Sequence, residues 1–125
     1  KGFETGDISM LTDGTEQREF LYAEDCCEAL EAVMENYDEL SSDDNLHITS
    51  FDATTILDIG HIIQGLFAEI GRSVSVTPAE SKDEVQKDKR NEADKFITKY
   101  WKPKTTIQEG IRNVFNDMKG EFNNA

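Results

Sequence analysis

The stretch LTDGTEQREFLYAED, residues 11–25, dominates the fold prediction because it combines a turn with the start of a helix. Its Asp13-Gly14 pair separates two short runs of extended character, residues 8–12 and 17–23, and Asp-Gly between such runs is a hairpin signal. Beyond the second run, apolar residues recur at helical spacing as far as Tyr37, with glutamates on the other side. The stretch therefore predicts a β-hairpin followed by an amphipathic helix.

The middle of the chain predicts two further short strands and one further helix. The strands are expected at residues 46–50 and 73–77, the second because Val alternates there with Ser or Thr. Between them, Thr54 or Thr55 is expected to cap a helix with a continuous apolar stripe, and Gly71 is expected to stop it.

Two more helices are predicted towards the end of the sequence. Asn91 is expected to cap a short helix that runs to Tyr100. A last helix starts at about Thr106 and should end before Gly120, because apolar residues recur on one face up to that glycine. With about four helices, a short β-hairpin and short strands, the predicted fold class is α+β.

Length and charge limit the range of functions. A chain of 125 residues falls within the size of one domain and predicts one modest core. The 26 acidic and 13 basic residues give a net charge of -13, which argues against nucleic acid and anionic membranes as partners. No Lys or Arg occurs between Arg18 and Arg72, whereas eight occur from Lys82 to Lys104. An anionic ligand should therefore bind at Arg18 or at the later basic stretch.

Cysteine usage and hydropathy bear on the compartment. Cys26 and Cys27 are adjacent, and a disulfide between neighbours would strain the peptide bond, so we expect reduced core thiols. No apolar run approaches the roughly 20 residues that span a bilayer, and no signal sequence opens the chain. These features favour a cytoplasmic protein.

Several motif-like spacings are rejected as sites. Residues 100–104, YWKPK, have Tyr-x-x-x-Lys spacing, but Pro103 prevents the Tyr and Lys from sharing a regular helix face. His47 and His61 lack the partners of a metal site, and Gly60 and Gly65 are expected to permit close helix packing. No catalytic residue, cofactor-binding residue or metal ligand is therefore predicted in this chain.

Three segments resemble motifs of one enzyme family. LTDGTEQREFLYAED at residues 11–25 is similar to Gly-Asp-Gly-x-Gln-x-Arg-Asp-Phe-x-Tyr-Val-x-Asp of the extended short-chain dehydrogenase/reductase family, the NAD-dependent nucleotide-sugar epimerases and dehydratases. NLHITS at residues 45–50 resembles the family's Tyr-Asn-Ile-Gly strand, and TILDI at residues 55–59 resembles the start of the helix that follows that strand. YWKPKTTIQEGI at residues 100–111 resembles Gly-Trp-x-Pro-x-Thr-x-x-Glu-Gly-Leu. The segments follow the family order and cover nearly the whole chain.

The resemblance implies that residues 1–125 form the C-terminal substrate-binding domain of an α/β Rossmann-type enzyme whose N-terminal NAD-binding domain is absent. The implied substrate is a nucleotide-diphosphate sugar, and the implied chemistry is hydride transfer with NAD(P), giving epimerisation or dehydration in carbohydrate metabolism. The family's Gly-x-x-Gly-x-x-Gly turn and catalytic Tyr-x-x-x-Lys helix are not in the sequence. The chain alone is therefore expected to bind no cofactor and to have no catalytic activity.

The resemblance also implies a set of substrate-binding residues. Arg18 should contact the nucleotide or the diphosphate, and a guanidinium offers paired donors that suit phosphate oxygens. Ser9, Met10 and Leu11 match the extended segment beside the base. Relatives often have Arg-Pro-Gly-Asp where this chain has SKDE at residues 81–84, and Lys82, Lys87 or Arg90 is a candidate to replace the second diphosphate-binding arginine.

The sequence also suggests two kinds of protein partner. The face that the Rossmann domain would cover should be apolar and exposed, which favours a homo-oligomer. The alternative function is a non-catalytic interaction module whose acidic helix and acidic loop meet a basic partner.

Overall fold

A computed structural model describes residues 1–43, 46–84 and 95–123. Within these ranges the structure contains both α-helices and short β-strands, so the predicted α+β fold class is confirmed. The helices are α1 (Gly2–Thr5), α2 (Ala23–Glu35), α3 (Ile56–Glu69), α4 (Lys95–Tyr100) and α5 (Ile107–Asn123), and a 3₁₀ turn covers Tyr37–Glu39. The strands are β1 (Asp7–Ser9), β2 (Gln17–Glu19), β3 (Ala53–Thr55) and β4 (Ser75–Thr77).

The predicted β-hairpin is wrong. β1 pairs in parallel with β4, with Ile8 opposite Val76, and β2 pairs with β3. Gly14 has a φ of 76°, and its carbonyl accepts a hydrogen bond of 3.0 Å from the amide of Leu57 at the start of α3. The Asp-Gly turn therefore directs the chain towards α3 instead of returning it along β1, because both flanking strands find partners far away in the sequence.

The start and end of α3 agree with the prediction. Thr55 is the N-cap, and its hydroxyl accepts a hydrogen bond of 3.0 Å from the amide of Asp58. Gly71 has a φ of 74°, in the left-handed region that commonly follows the end of a helix. The sequence left Thr54 and Thr55 open as caps, and the structure selects Thr55.

The structure places one strand and the end of one helix differently from the prediction, and it does not describe one predicted helix cap. Residues 46–50 are not a strand, and β3 lies later, at Ala53–Thr55. α5 continues past Gly120 to Asn123, because that glycine does not adopt the left-handed conformation that ends helices. The predicted cap Asn91 lies outside the described residues.

The chain divides into two compact units, whereas the sequence length predicted one core. Unit 1 comprises Lys1–Arg18, Thr54–Asp88 and Gln108–Ala125. Unit 2 comprises Glu19–Ala53 and Lys89–Ile107. The assignment of residues 1–125 to one substrate-binding domain stays a prediction.

Each unit has its own apolar cluster. In unit 1 the buried Phe67 packs edge-on against Phe3 and Phe115, with ring centroids 4.6 and 4.9 Å away. In unit 2 the buried Ala29 of α2 packs with Ile97 of α4 and with Trp101. The apolar stripe of α3 therefore faces a core, as its spacing predicted, because Leu66 and Phe67 are buried. In α2 the apolar spacing did not identify the buried side, since Leu30 and Met34 are exposed.

The cysteines differ in burial from the prediction. Cys26 is half-buried, but Cys27 is exposed on α2, so it is not a core thiol. Both thiols are free. Among the described residues, no helix combines the length and apolarity that crossing a bilayer requires.

Candidate functional site

A ladder of backbone hydrogen bonds in unit 1 forms the scaffold of the candidate site. The pairing of β1 with β4 continues beyond both strands, because the Met10 amide donates to the Thr77 carbonyl at 2.9 Å. Further on, the Ala79 amide donates to Thr12, and the Asp13 amide donates to Ser81 at 2.7 Å. Residues 9–13 are therefore held alongside residues 77–81.

Arg18 lies at the end of unit 1's first segment and is fixed by two hydrogen bonds. One terminal nitrogen of its guanidinium is 2.7 Å from Oδ2 of Asp83, and the other donates to the Gln17 carbonyl at 3.0 Å. The Arg18 side chain is 32% exposed and the Asp83 side chain 22%. The cation is thus partly sheltered from water, where a charge-assisted bond is stronger than on an open surface.

The structure brings the predicted substrate-binding residues into unit 1 but gives them different environments. Ser9 is exposed, and its hydroxyl donates to the carboxylate of Asp7. Met10 is half-buried, whereas the Leu11 side chain is 92% exposed. Lys82 is exposed and is the chain neighbour of Asp83, the partner of Arg18. The alternatives Lys87 and Arg90 lie outside the described residues.

Asp83 is the residue that sequence reasoning missed. Carboxylates close to Arg18 in the sequence, such as Glu19 and Glu24, would be the simplest partners to expect, but the ion pair joins residues 65 positions apart. A contact between distant segments leaves no periodic signal in one sequence. The sequence offered one hint that Asp83 lies near Arg18: Asp83 belongs to SKDE, at the place where the resembling enzymes often have Arg-Pro-Gly-Asp with its diphosphate-binding arginine.

A second polar group in unit 1 surrounds Asp7. The Asp7 carboxylate accepts hydrogen bonds from Ser75 at 2.6 Å, from Thr77 at 2.8 Å and from Ser9. These bonds, with that from Ser75 the strongest influence, lower the pKa of Asp7 to about 2. The four side chains follow the two-residue period of β1 and β4 on one side of the pair.

Glu16 carries an unusual buried oxygen. Its Oε1 accepts a hydrogen bond of 2.5 Å from the Thr12 hydroxyl, while Oε2 is buried without a hydrogen-bond partner among the described residues. Glu16 occupies the position where the resembling family usually has Gln. A glutamine could donate there, so the substitution changes the local hydrogen-bond pattern.

Asp25 in unit 2 has a structural role. It is 3% exposed, and Oδ2 accepts hydrogen bonds from the amides of Lys104 at 3.2 Å and Thr105 at 2.9 Å. It therefore anchors the segment that enters α5. Lys104 in turn binds Glu28 at 2.9 Å, and this hydrogen bond raises the pKa of Lys104.

The rejected Tyr-Lys spacing is also separated in the structure. Tyr100 ends α4, and its hydroxyl donates to Glu39, whereas Lys104 lies beyond the helix and pairs with Glu28. Unit 2 also has a pocket of about 180 Å³ lined in part by Phe20, Asp52 and Lys104. None of the predicted substrate-binding residues lines this pocket.

Comparison with known proteins identifies the fold and the relatives. A family model described as "NAD dependent epimerase/dehydratase family" matches residues 1–48. A GDP-L-fucose synthase of Sinorhizobium fredii (strain NBRC 101917 / NGR234) is 29% identical over 113 residues, which cover 90% of this chain and 34% of that protein. Over residues 1–48 the chain is therefore similar to the NAD dependent epimerase/dehydratase family. It spans about a third of the length of this relative.

Solved structures support the fold. A GDP-6-OMe-4-keto-L-xylo-heptose reductase from C. jejuni aligns with a TM-score of 0.73 at 18% identity, over 92% of this chain and 34% of the reductase. An epimerase from Methanothermobacter thermautotrophicus aligns with a TM-score of 0.74 at 15% identity, over 99% of this chain and 37% of the epimerase. The fold is thus one that occurs within enzymes about three times as long.

The epimerase/dehydratase match covers only part of the candidate site. Residues 1–48 include Arg18, Ser9, Met10 and Leu11, whereas Lys82 lies outside the matched range. One solved structure with this fold, a GDP-mannoheptose C4 reductase from Campylobacter jejuni, has NADP bound. This chain has no three glycines spaced three residues apart, so its residues do not fit the pyrophosphate turn of such a cofactor.

Proposed function

We propose that this chain is the nucleotide-sugar-binding part of an NAD(P)-dependent epimerase/dehydratase, and that Arg18 binds the diphosphate. The observation that carries the proposal is the partly sheltered ion pair between Arg18 and Asp83, next to the laddered segment 9–13. A guanidinium that is already oriented loses little freedom when it meets a phosphate. The names of the relatives add independent support, because several are enzymes of GDP-linked sugars.

Asp83 determines how an anion would reach Arg18. The two observed hydrogen bonds use two of the five N–H donors of the guanidinium. A diphosphate would either use the remaining donors or displace Asp83, and a carboxylate beside a phosphate is repulsive. Lys82, adjacent to Asp83 and exposed, would then supply a second cation.

The segment 9–11 would contact the base in a restricted way. The Met10 amide already donates to Thr77, so a contact from Met10 would use its carbonyl or its side chain. The exposed side chain of Leu11 offers an apolar surface for a flat base. Hydride transfer would come from NAD(P) bound elsewhere in a complete enzyme, and this chain would bind and orient the substrate.

Calorimetric titration of GDP-mannose and UDP-glucose into the purified chain tests the role of Arg18. Loss of a charge-assisted bond corresponds to roughly 1.5–3 kcal/mol, so Arg18→Ala should weaken binding about tenfold or more. Arg18→Lys should recover only part, because the paired donors are lost. Arg112→Ala is the matched control, since Arg112 also binds a carboxylate, Glu69, at 2.6 Å in unit 1.

Asp83→Asn separates ligand binding from simple ion pairing. If Asp83 competes with the diphosphate, this variant should bind the nucleotide-sugar more tightly than the unmodified chain, although it loses the ion pair. Thermal melting of each variant provides the folding control. An Arg18→Ala chain that folds normally and keeps its affinity would refute the proposal. A weaker affinity of Asp83→Asn would instead mean that the diphosphate uses the remaining donors of Arg18 while Asp83 orients the guanidinium.

A further inference from the structure

Helix α2 and the turn after it carry an exposed apolar stripe in unit 2. Leu30 is 52% exposed, Met34 is 77% exposed and Tyr37 is 67% exposed. Cys27 is exposed as well, and the spacing of Cys27, Leu30 and Met34, three and four, keeps these three on one side of α2, while Tyr37 lies in the 3₁₀ turn that follows. We call these four residues the α2 stripe.

The α2 stripe is not the core-facing side of its helix. Ala29 is fully buried and forms a cluster with Ile97 and Trp101, and Val33 packs against this cluster. α2 is therefore apolar on two sides, of which only one is used by unit 2. Methionine is adaptable at binding surfaces, and Met34 is more exposed than Leu30 or Tyr37.

An acidic edge runs along the α2 stripe. Glu24, Glu31 and Glu35 are exposed, and their spacing of seven and four, about two turns and one turn, places them along one side of the helix. The end of α2 adds to the negative charge, because helix C-termini carry a partial negative charge and Asp38 follows. Between residues 19 and 71 the sequence contains no Lys or Arg, although Lys104, from a later segment, pairs with Glu28 of the same helix.

We infer that the α2 stripe is a docking surface for a basic amphipathic helix of a partner protein. Such a helix would place apolar anchors spaced three, four and seven residues apart on Leu30, Met34 and Tyr37. Its Lys or Arg residues would lie against the acidic edge, which gives register and faster association. A neutral or acidic helix could match the apolar residues of the stripe but not the charge of the acidic edge. The basic helix matches both.

A second copy of the chain is a poorer occupant. Each copy carries a net charge of -13 and the same acidic edge, so self-docking would bring like charges together. Anionic lipid is opposed by the same charge. The acidic edge attracts a basic helix, whereas it repels a second copy of the chain and anionic lipid.

The experiment uses a fluorescein-labelled peptide of about 18 residues, roughly 27 Å of helix, with Leu on one face and Lys on the other. Anisotropy at about 0.15 M NaCl measures its binding to the purified chain. A peptide with the same composition in scrambled order should bind at least about tenfold more weakly. A peptide with Glu in place of Lys should not bind measurably.

Variants locate the site. Met34→Ser and Leu30→Ser change exposed positions, and each should weaken peptide binding about tenfold. The matched control is Val114→Ser on α5, which is also 52% exposed but lies in unit 1, and it should leave binding unchanged. Bound peptide should also slow maleimide labelling of Cys27. Arg18→Ala should bind the peptide normally, because this inference does not depend on nucleotide-sugar binding.

Three outcomes would overturn the inference. Equal binding of the ordered and scrambled peptides would show charge attraction without a docking site. A dimer in sedimentation equilibrium that Met34→Ser dissociates would assign the stripe to a second copy. If Cys27 resists labelling in a longer form of the protein, the stripe is covered by the rest of the polypeptide.

Discussion

Asp7 shows how one side chain couples the parallel strand pair to pH. Its pKa is lowered from 3.8 to about 2 by hydrogen bonds that begin with the Ser75 hydroxyl. A lowered pKa in the folded state adds stability that is present above about pH 4 and is lost as pH falls towards 2. The charged form thus favours the pairing of β1 with β4 at neutral pH.

We predict that Asp7→Asn lowers the urea midpoint at neutral pH. The asparagine oxygen can still accept from Ser75 and Thr77, which both donate to Oδ1 of Asp7, but its amide nitrogen cannot accept from Ser9. The substitution therefore removes the charge and one of the three hydrogen bonds. The difference between the two proteins should shrink between about pH 4 and pH 2, where the native carboxylate also becomes protonated. Asp117→Asn on the exposed face of α5 serves as the reference. If the difference in urea midpoint between Asp7→Asn and the unmodified chain stays the same across this pH range, the prediction is contradicted.

The candidate site shows what single residues reveal in a sequence. Arg18 could be selected because it is the last cation before a long acidic stretch and matches a family motif. Its partner Asp83 could not, because the pair depends on how two distant segments meet. The exposure of Cys27 was missed for a similar reason, since helical spacing gives the relative direction of side chains but not which side is covered.

Among the secondary-structure elements, helices were predicted better than strands. α2 and α3 have long periodic patterns, and α3 also has the local cap Thr55, so their signals lie within one segment. Strand pairing depends on remote partners, and Asp13-Gly14 looked like a hairpin although β1 pairs with β4. A side chain at Gly14 would collide with Met10 and lie 2.9 Å from the Leu57 amide nitrogen, so this glycine is required for a close approach to α3.

Helix α3 contains two glycines with opposite surroundings. A Cβ at Gly60 would lie 3.1 Å from Cγ1 of Val76, whereas nothing lies within 4 Å of the same atom at Gly65. The expectation that both permit close packing is therefore confirmed for Gly60 and wrong for Gly65. Alanine in an open helix interior is favoured over glycine by roughly 0.5–1 kcal/mol, because glycine loses more freedom on folding.

We predict that Gly65→Ala raises the free energy of unfolding by about that amount. Gly60→Ala should be less stable than Gly65→Ala, because the same gain in helix propensity is opposed by the tight contact with Val76. Urea titrations of the two variants, run side by side, measure the difference. Equal stabilisation by both would mean that Val76 moves aside freely.

For the molecule as a whole, charge is the property that sequence alone fixes most firmly. The net charge of -13 follows from counting side chains and needs no structure. The division into two units could not be counted in this way, because each unit combines segments that are far apart in the sequence. Total charge is additive over residues, whereas the formation of a core depends on which segments meet.

We predict that moderate salt stabilises the chain. An excess of like charge destabilises the compact state, and this repulsion weakens as the Debye length falls from about 30 Å at 0.01 M to about 8 Å at 0.15 M salt. Salt also weakens attractive pairs, but those of Lys99 with Glu39 and of Arg112 with Glu69 are more than half exposed and contribute little. The repulsion should therefore dominate, and NaCl should raise Tm by a few degrees, on the order of 1 kcal/mol for a chain of this length.

Thermal melting across this range of NaCl, with sucrose as an uncharged co-solute control, measures the effect. Removing two charges of the acidic edge with Glu31→Gln and Glu35→Gln should make Tm less dependent on salt, because less repulsion remains to be screened. Lys102→Gln, at an exposed position, should make Tm more dependent on salt, since it increases the net negative charge. A Tm that falls with NaCl would mean that specific ion pairs outweigh the repulsion, and identical salt profiles for all three proteins would mean that net charge is not the cause.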